Sequence, residues 1–377
     1  MPDELTYAES GVDRNLRAQS KVALKTFQDT FKYSRHGPPI ILPYNTIIPL
    51  ESGVLADLKH LIYRLHLGKG KLYSDHIIEG IGTKVLVSQA TDVYSTAGID
   101  AIAMNVNDIL RSGAVPLSLS DNIDCEKSEP ALIEEWTKGL LAGAEMAQIV
   151  IPGGEIADVA ALMKGVRDGK AFHMVCSCVG ELYEKDIIWG RGIKKDDAVI
   201  GLGSSGLHSN GLSLVRKVLL KQWGGKYDAF DKPPGFDREI GYEILTPTRI
   251  YVKPVVNVNK RFDIKAAVHI TGDAYKKFDK LFPFNPGIGF EFNYFDPQDI
   301  FGLIEETARS HLNKIITKKE MYSTFNMGWG FGLVVARNDA KKVLHYLKEQ
   351  GEKAKEIGRA TNTGKIVIND EGNRFEL

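Results

Sequence analysis

The chain has 377 residues, 43% apolar and 25% charged, a globular balance that excludes a disordered, fibrous or membrane-spanning protein. Its 48 basic and 48 acidic residues cancel, so no global field draws it to nucleic acid or to an anionic lipid surface. Three cysteines, Cys125, Cys176 and Cys178, are too few for a disulfide framework, and the Cys-x-Cys pair lacks the further ligands of a zinc site.

At about 150 residues per domain the length predicts two domains with a boundary near the middle. The N-terminus, Met1-Pro2-Asp3-Glu4-Leu5, has neither a basic start nor an apolar stretch. No later run approaches the roughly 18 apolar residues of a membrane span. The expectation is a cytoplasmic protein with buried thiols.

In chain order, the segment from Asp13 to about Phe31 has helical spacing and is stopped by His36-Gly37-Pro38-Pro39. Strands are predicted at 40–50, 71–78 and 85–90, the last entered through Glu79-Gly80-Ile81-Gly82-Thr83-Lys84. Residues 96–112 return to helical period. Ile99, Ile102, Ala103, Val106, Ile109 and Leu110 form an apolar stripe there, with Asp100, Met104, Asn107 and Arg111 along its flank. A strand at 115–120, a helix at 130–147 and a strand at 149–154 then alternate as in an α/β protein. The strands before them carry no intervening helix, so a doubly wound sheet fits poorly. A long strand at 171–182 leads into the charged stretches Tyr183-Glu184-Lys185 and Lys194-Lys195-Asp196-Asp197, where the boundary between 1–185 and 186–377 is placed. The second unit opens with a strand at 198–203 and a helix at 211–221, then a Gly/Pro/Lys loop at 224–235 and a helix at 249–260. A strand follows at 265–270, with further β material to about 293. The end of the chain reads as β, a helix at 338–350 and two short strands.

Several patterns carry chemistry, each with a plainer alternative. Gly201-Leu202-Gly203-Ser204-Ser205-Gly206 matches a dinucleotide fingerprint after a strand, but no helix starts at its third glycine and no βαβ unit follows. Its turn still exposes N–H groups, and His208, Ser209 and Asn210 stand before a helix, as anion ligands or as ordinary caps. Glu79-Gly80-Ile81-Gly82-Thr83-Lys84 joins an acid, two glycines, a hydroxyl and an ammonium, which suits Mg²⁺ and phosphate or else a bulged crossing. Asp100, Asn107 and Asp108 share a helix flank, and Asp121 and Asp124 follow the next strand. A solvated face is the default reading, against which Asn107-Asp108 are poor helix formers placed mid-helix. Gly153-Gly154-Glu155 repeats a carboxylate beside bare backbone. His269 and Thr271 point to one face of a strand, as site residues or as a satisfied core histidine.

Taken in this order, these blocks resemble the aminoimidazole ribonucleotide synthetase (phosphoribosylformylglycinamidine cyclo-ligase) family. The resemblance runs from Thr6-Tyr7-Ala8-Glu9-Ser10-Gly11-Val12-Asp13 through Gly203–Gly211, Pro247-Thr248-Arg249-Ile250-Tyr251-Val252 and His269-Ile270-Thr271-Gly272 to Phe325-Asn326-Met327-Gly328. It implies a two-domain α+β fold, an N-terminal α/β domain that dimerises through its strands and a C-terminal α+β domain. It also implies ATP, Mg²⁺ and a small ribonucleotide, which the enzyme cyclises in purine synthesis by phosphorylating an amide oxygen.

On this resemblance His208, Lys84 and, at matching spacing, Lys25 are catalytic candidates. Gly80, Gly82, Thr83, Asn107, Gly153 and Gly154 would bind ATP phosphates, and Ser209, Asn210, His269, Thr271 and Gly272 the substrate. Glu79, Asp100, Asp108 and Glu155 would ligate metal. His208 is expected to polarise or protonate the amide, with a pKa near operating pH.

Four departures stand out. Glu79 replaces the family's aspartate, Ile156 follows Gly-Gly-Glu, Asp273-Ala274 replace two glycines, and His36-Gly37-Pro38-Pro39-Ile40 replaces a glycine-rich lid. They leave two alternatives: a relative such as a thiamine monophosphate kinase, or a silent nucleotide-binding homologue. The redox cysteine of selenophosphate synthetases is missing from the first 124 residues, and no C-terminal cysteine follows Phe375-Glu376-Leu377.

Overall fold

The computed structural model describes the backbone of residues 3–10, 14, 19 and 21–377, and the side chains of all of these except 21–26. Six strands form one sheet in the order Ile40–Ile41, Thr46–Pro49, Leu72–Gly80, Phe172–Tyr183, Val115–Cys125, Gly154–Asp158. Every pairing is antiparallel except the last, which is parallel. Phe172–Tyr183 alternates buried and half-buried residues at every step, the signature of a sheet covered on one face only. Phe172, Met174, Cys176, Cys178 and Leu182 take the covered face, under the helices Ser95–Ile109 and Pro130–Ala147. Burial pushes the Cys178 thiol up to about 12 and the Cys176 thiol upward as well.

Those two helices cross at glycines. A Cβ at Gly139 would collide with the carbonyl oxygen of Ser95, and one at Gly98 with the backbone nitrogen of Leu140. Pro130 occupies the first turn, where a missing N–H costs nothing, and Gln148 in a left-handed conformation ends the helix. The opposite face of the sheet carries Ile48 and Ile78, 43% and 68% exposed, beside the half-buried Val175 and Val179.

Seven strands form the second sheet, in the order Asn373–Glu376, Ile366–Asp370, Gly289–Phe292, Ala354–Thr361, Ala198–Gly203, Trp329–Val335, Ile264–His269. Two of its strands, Ala198–Gly203 and Trp329–Val335, are buried at every residue, as a sheet covered there on both faces requires. Ala198, Ile200 and Leu202 pack toward Val252–Asn259, Ala340–Glu349 and the core of the first sheet. Val199, one residue out of phase, joins the core beneath Leu212–Leu219 and Asp299–Ser310. Mixed sheets with helices in separate layers make the chain α+β. No described helix is long and apolar enough to cross a membrane.

Several predicted elements differ. Residues 85–90 are a helix, Val85–Thr91, because a short apolar run buried nearly all round carries no period that separates helix from strand. Between the strands Thr46–Pro49 and Leu72–Gly80 lies an unforeseen helix, Val54–Arg64. The run at 149–154 pairs only through a bridge between Ser118 and Val150, and the strand begins at Gly154, so Gly-Gly-Glu opens a strand instead of ending one. Ala274–Phe284 is 3-10 helical, and the helices Asp299–Ser310 and Lys318–Thr324 replace part of the β reading of the C-terminal end. The helix predicted from Asp13 falls partly outside the described residues, and Lys21–Tyr33 is a 3-10 helix.

Candidate active site

The helix Ser95–Ile109 is shared by both halves. Asp100, Asn107 and Asp108, separated by two turns or slightly more, lie on one side of it and are all buried, which overturns the solvated-face reading. That side meets the second half of the chain, where each of the three finds at least one partner.

Asp100 forms an ion pair of 2.7 Å with Lys84, both groups at most 2% exposed. Its Oδ1 also accepts from the Ser209 hydroxyl at 3.1 Å and the Thr248 N–H at 2.7 Å. Lys84 in turn donates to the Thr246 carbonyl at 2.8 Å. Burial lowers the Lys84 pKa and Asp100 opposes it, so the pair is a buried structural clamp between the halves. Removing one member of such a pair strands the other and costs about 3–5 kcal/mol.

Asp108 accepts from His269 Nδ1 at 2.7 Å and pairs with Arg111 at 2.8 Å. Burial alone would raise the Asp108 pKa, yet Arg111, the His269 hydrogen bond and the charge of Lys277 hold it well below the usual carboxylate range. His269 is lowered to about 4 by burial, against the pull of Asp108. At neutral pH the pair is therefore a neutral imidazole donating to a carboxylate rather than an ion pair. With Nδ1 as donor, His269 Nε2 accepts the weak 3.5 Å contact from Asn107. Asn107 otherwise binds backbone, donating to the Arg249 carbonyl at 2.8 Å and accepting from the Tyr251 N–H at 2.9 Å.

His208 is buried in a left-handed turn, φ 60°, and its Nε2 accepts the Ser205 N–H at 3.2 Å. The hydrogen must then sit on Nδ1, which has no partner among the described residues, as is also true of the Asn210 side-chain nitrogen. Gly330 makes room for the ring, since a Cβ there would strike the Tyr251 hydroxyl and His208 Cε1. Burial, with His269, Lys84 and Arg249 nearby, drives the His208 pKa well below 6.5. The expectation of a pKa near operating pH is corrected: His208 is neutral and can polarise an oxygen by donation, but it holds no second proton to transfer. Asn210 Oδ1 lies 3.2 Å from where a Cβ on Gly272 would stand, so Asn210 and the His269–Gly272 turn are neighbours.

The glycine turn lies beside this region. Gly82 has φ 60° with open space around it, and the Thr83 carbonyl accepts from Arg216 at 2.8 Å. Asn105 clamps Glu79 through both backbone groups at 3.0 Å. The four acids predicted to hold metal do not converge, and among the described residues no group of three His, Cys, Asp or Glu side chains does. Asp100 and Asp108 are spent on protein cations. Glu155 is exposed and aligns with Asn122 on the sheet face opposite Glu79. Gly153 is open, whereas Gly154 is glycine because the Asp121 carboxylate fills the space of its Cβ. The side chain of Lys25 lies outside the described residues.

Sequence reasoning missed two cations at the site. Arg111 sits three residues after Asp108 on the same helical flank, a legible i,i+3 pair. Lys277 donates to the His269 carbonyl at 3.3 Å and to the Thr271 hydroxyl, and burial lowers it to about 8 while Asp108 and Glu79 pull the other way. As half of a Lys276-Lys277 dyad it reads in sequence as solvated charge.

Residues 74–182 match the AIR synthase related protein N-terminal domain, and 194–371 match the AIR synthase related protein C-terminal domain. The chain is 38% identical to a phosphoribosylformylglycinamidine cyclo-ligase of Bacillus cereus over 293 residues, 77% of this chain and 81% of that protein. The same-named protein of Bacillus cytotoxicus gives 38% over the same shares. Among solved structures, thiamine monophosphate kinase from Stenotrophomonas maltophilia aligns with TM-score 0.57 and 13% identity, covering 79% of this chain and 85% of that one. Hydrogenase maturation protein HypE in complex with ATP gives 0.56 and 16%, covering 82% and 84%. These structural likenesses are of fold alone.

Proposed function

The chain belongs to the AIR synthase related protein family, and from that premise we propose that it is an ATP-dependent cyclo-ligase of purine synthesis. ATP phosphorylates the formyl amide oxygen of formylglycinamidine ribonucleotide. An amidine nitrogen of the same molecule attacks that carbon and the C–O bond breaks, which yields aminoimidazole ribonucleotide, ADP and phosphate.

The observation that carries this reading at the site is a pair of buried donors left without acceptors among the described residues, His208 Nδ1 and the Asn210 amide. A buried donor without an acceptor costs about 1–3 kcal/mol, and an oxygen-rich substrate removes that cost. His208 donates to the former amide oxygen as the C–O bond breaks and negative charge builds on the departing phosphate. Fixed donors in a site closed to water need no reorganisation when the charge appears. Ser209 and Thr248 are held by Asp100, so the turn that presents His208 is anchored to the first half of the chain.

The Gly80–Lys84 turn would take the nucleotide phosphates on its open backbone. Of the acids singled out in sequence, Glu79 at the mouth of that turn would meet Mg²⁺, with phosphate oxygens and waters filling the remaining positions. When bound, Mg²⁺ neutralises polyphosphate charge. The reading carries with it a cytoplasmic enzyme of two units, 1–185 and 186–377. It also carries a homodimer through the open face of the six-stranded sheet, where Ile48 and Ile78 lie exposed. The likeness to thiamine monophosphate kinase is one of fold and favours no kinase reading.

The test is to incubate purified protein with ATP, Mg²⁺ and formylglycinamidine ribonucleotide and to follow ADP and aminoimidazole ribonucleotide together. Equal amounts of both are expected. ADP without the imidazole product, or neither product, overturns the assignment.

A further inference from the structure

The ammonium of Lys277 has unusual company. Its two hydrogen-bond partners, the His269 carbonyl at 3.3 Å and the Thr271 hydroxyl, are both uncharged, and it forms no ion pair among the described residues. A lysine carries three N–H donors, so one remains. Of the acids whose charge reaches it, Asp108 is otherwise engaged and Glu79 pulls only from beyond ion-pair distance. Asp108 gives one oxygen to His269 and the other to Arg111. Asp273, two residues beyond Thr271, turns outward, 48% exposed, to Arg14 at 3.4 Å. Arg14 is fastened in place by Glu320 at 3.0 Å and by the Ser323 carbonyl at 3.1 Å. Burying an ammonium without a direct ion pair is costly, and an anionic ligand would offset that cost.

A second observation points the same way. The buried side-chain nitrogen of Asn210 has no acceptor among the described residues, and its amide oxygen lies against Gly272, the residue after Thr271. The turn Thr271-Gly272 is thus in contact with a cationic donor, Lys277, and with the Asn210 amide, whose nitrogen has no acceptor among the described residues.

We propose that Lys277 and Asn210 bind a phosphoryl oxygen over the Thr271-Gly272 turn, with Lys277 supplying the fixed positive charge. The inference rests on the cyclo-ligase reading for its choice of ligand. That reading offers two sources of a phosphoryl group, the polyphosphate of ATP and the phosphate ester of the ribonucleotide, and the geometry requires only the group they share. The Arg14–Asp273 pair has a part in this arrangement, because it draws the local negative charge away from the anion.

The experiment compares wild type with Lys277→Met, Lys277→Gln and Lys277→Arg, measuring kcat and both KM values. In parallel, thermal shifts are read with ATP and with ribose 5-phosphate, a phosphate ester without a base or an amidine. The expected result is at least a 10-fold rise in KM for one of the two substrates in the Met and Gln variants, from loss of a charge-assisted hydrogen bond, with the other KM little changed. The substrate whose KM moves identifies the source, and its matching thermal shift disappears in the same variants. Arg, which keeps the charge, restores most of both. If Lys277→Met does not fold, the Gln variant carries the same readings with donors but no charge. Both KM values, kcat and both thermal shifts within twofold of wild type in the Gln variant overturn the proposal. If the wild-type protein makes no imidazole product, the cyclo-ligase reading fails, while the thermal shifts still decide the role of Lys277.

Discussion

A neutral imidazole that accepts through one nitrogen has a single donor left, and at His208 that donor is Nδ1, buried and without an acceptor among the described residues. The His208→Ala variant is expected to lower kcat by about 10²–10³, the cost of losing one preorganised donor, with ATP affinity nearly unchanged. Steady-state rates and equilibrium ATP titration check this, and an undiminished kcat removes His208 from the mechanism. Its pKa is pushed well below 6.5, so His208 stays neutral at every pH above 6.5. The pH–rate profile should accordingly show no acid limb from this residue above that value. At this scale the sequence revealed which polar residues were unusual, since Asn107 and Asp108 are poor choices inside a helix. It did not reveal what they do. Pairing Asp100 with Lys84, or Asp108 with His269, brings together residues 16 and 161 positions apart, and no local pattern encodes that closure.

Between elements, the contact that fixes the site is the crossing of Ser95–Ile109 over Pro130–Ala147. Alanine is about 1 kcal/mol better than glycine in an exposed helix interior, so propensity alone would make Gly139→Ala stabilising. The geometry reverses the sign, because the added Cβ meets the Ser95 carbonyl oxygen, a backbone atom that cannot step aside without moving the helix. Overpacking of this kind costs about 1–3 kcal/mol. We expect Gly139→Ala to lower stability by about that amount in urea unfolding, and a stabilised variant would contradict the close crossing. Both helices were legible from their apolar period. Asp299–Ser310 was legible in principle too, since Ile300, Phe301, Leu303, Ile304, Thr307 and Ala308 follow a helical repeat. Val85–Thr91 was not, because it is too short and too uniformly buried to display a period.

Over the whole molecule, two sheets of different character share one interior. The second is covered on both faces, and the first leaves one face open. In the proposed dimer that open face meets its copy, and Ile78→Lys should separate the protomers while changing the stability of each by no more than about 0.5 kcal/mol, as at other exposed positions. Analytical ultracentrifugation reads the first effect and thermal unfolding the second; a dimer that persists unaltered places the interface elsewhere. Two halves and a mixed architecture could be anticipated from the order of elements, whereas the open face could not, because alternation along one strand does not say which side a partner will cover.

The covered face has a further consequence through its thiols. Cys125, Cys176 and Cys178 are all buried, and burial raises the pKa of each. Thiolate is the form that reacts with electrophiles, so the folded chain offers such reagents almost nothing to attack. The native protein is in effect a cysteine-free surface. A cysteine introduced at any exposed position becomes the sole target for a maleimide dye or a spin label, without first removing the three natural ones.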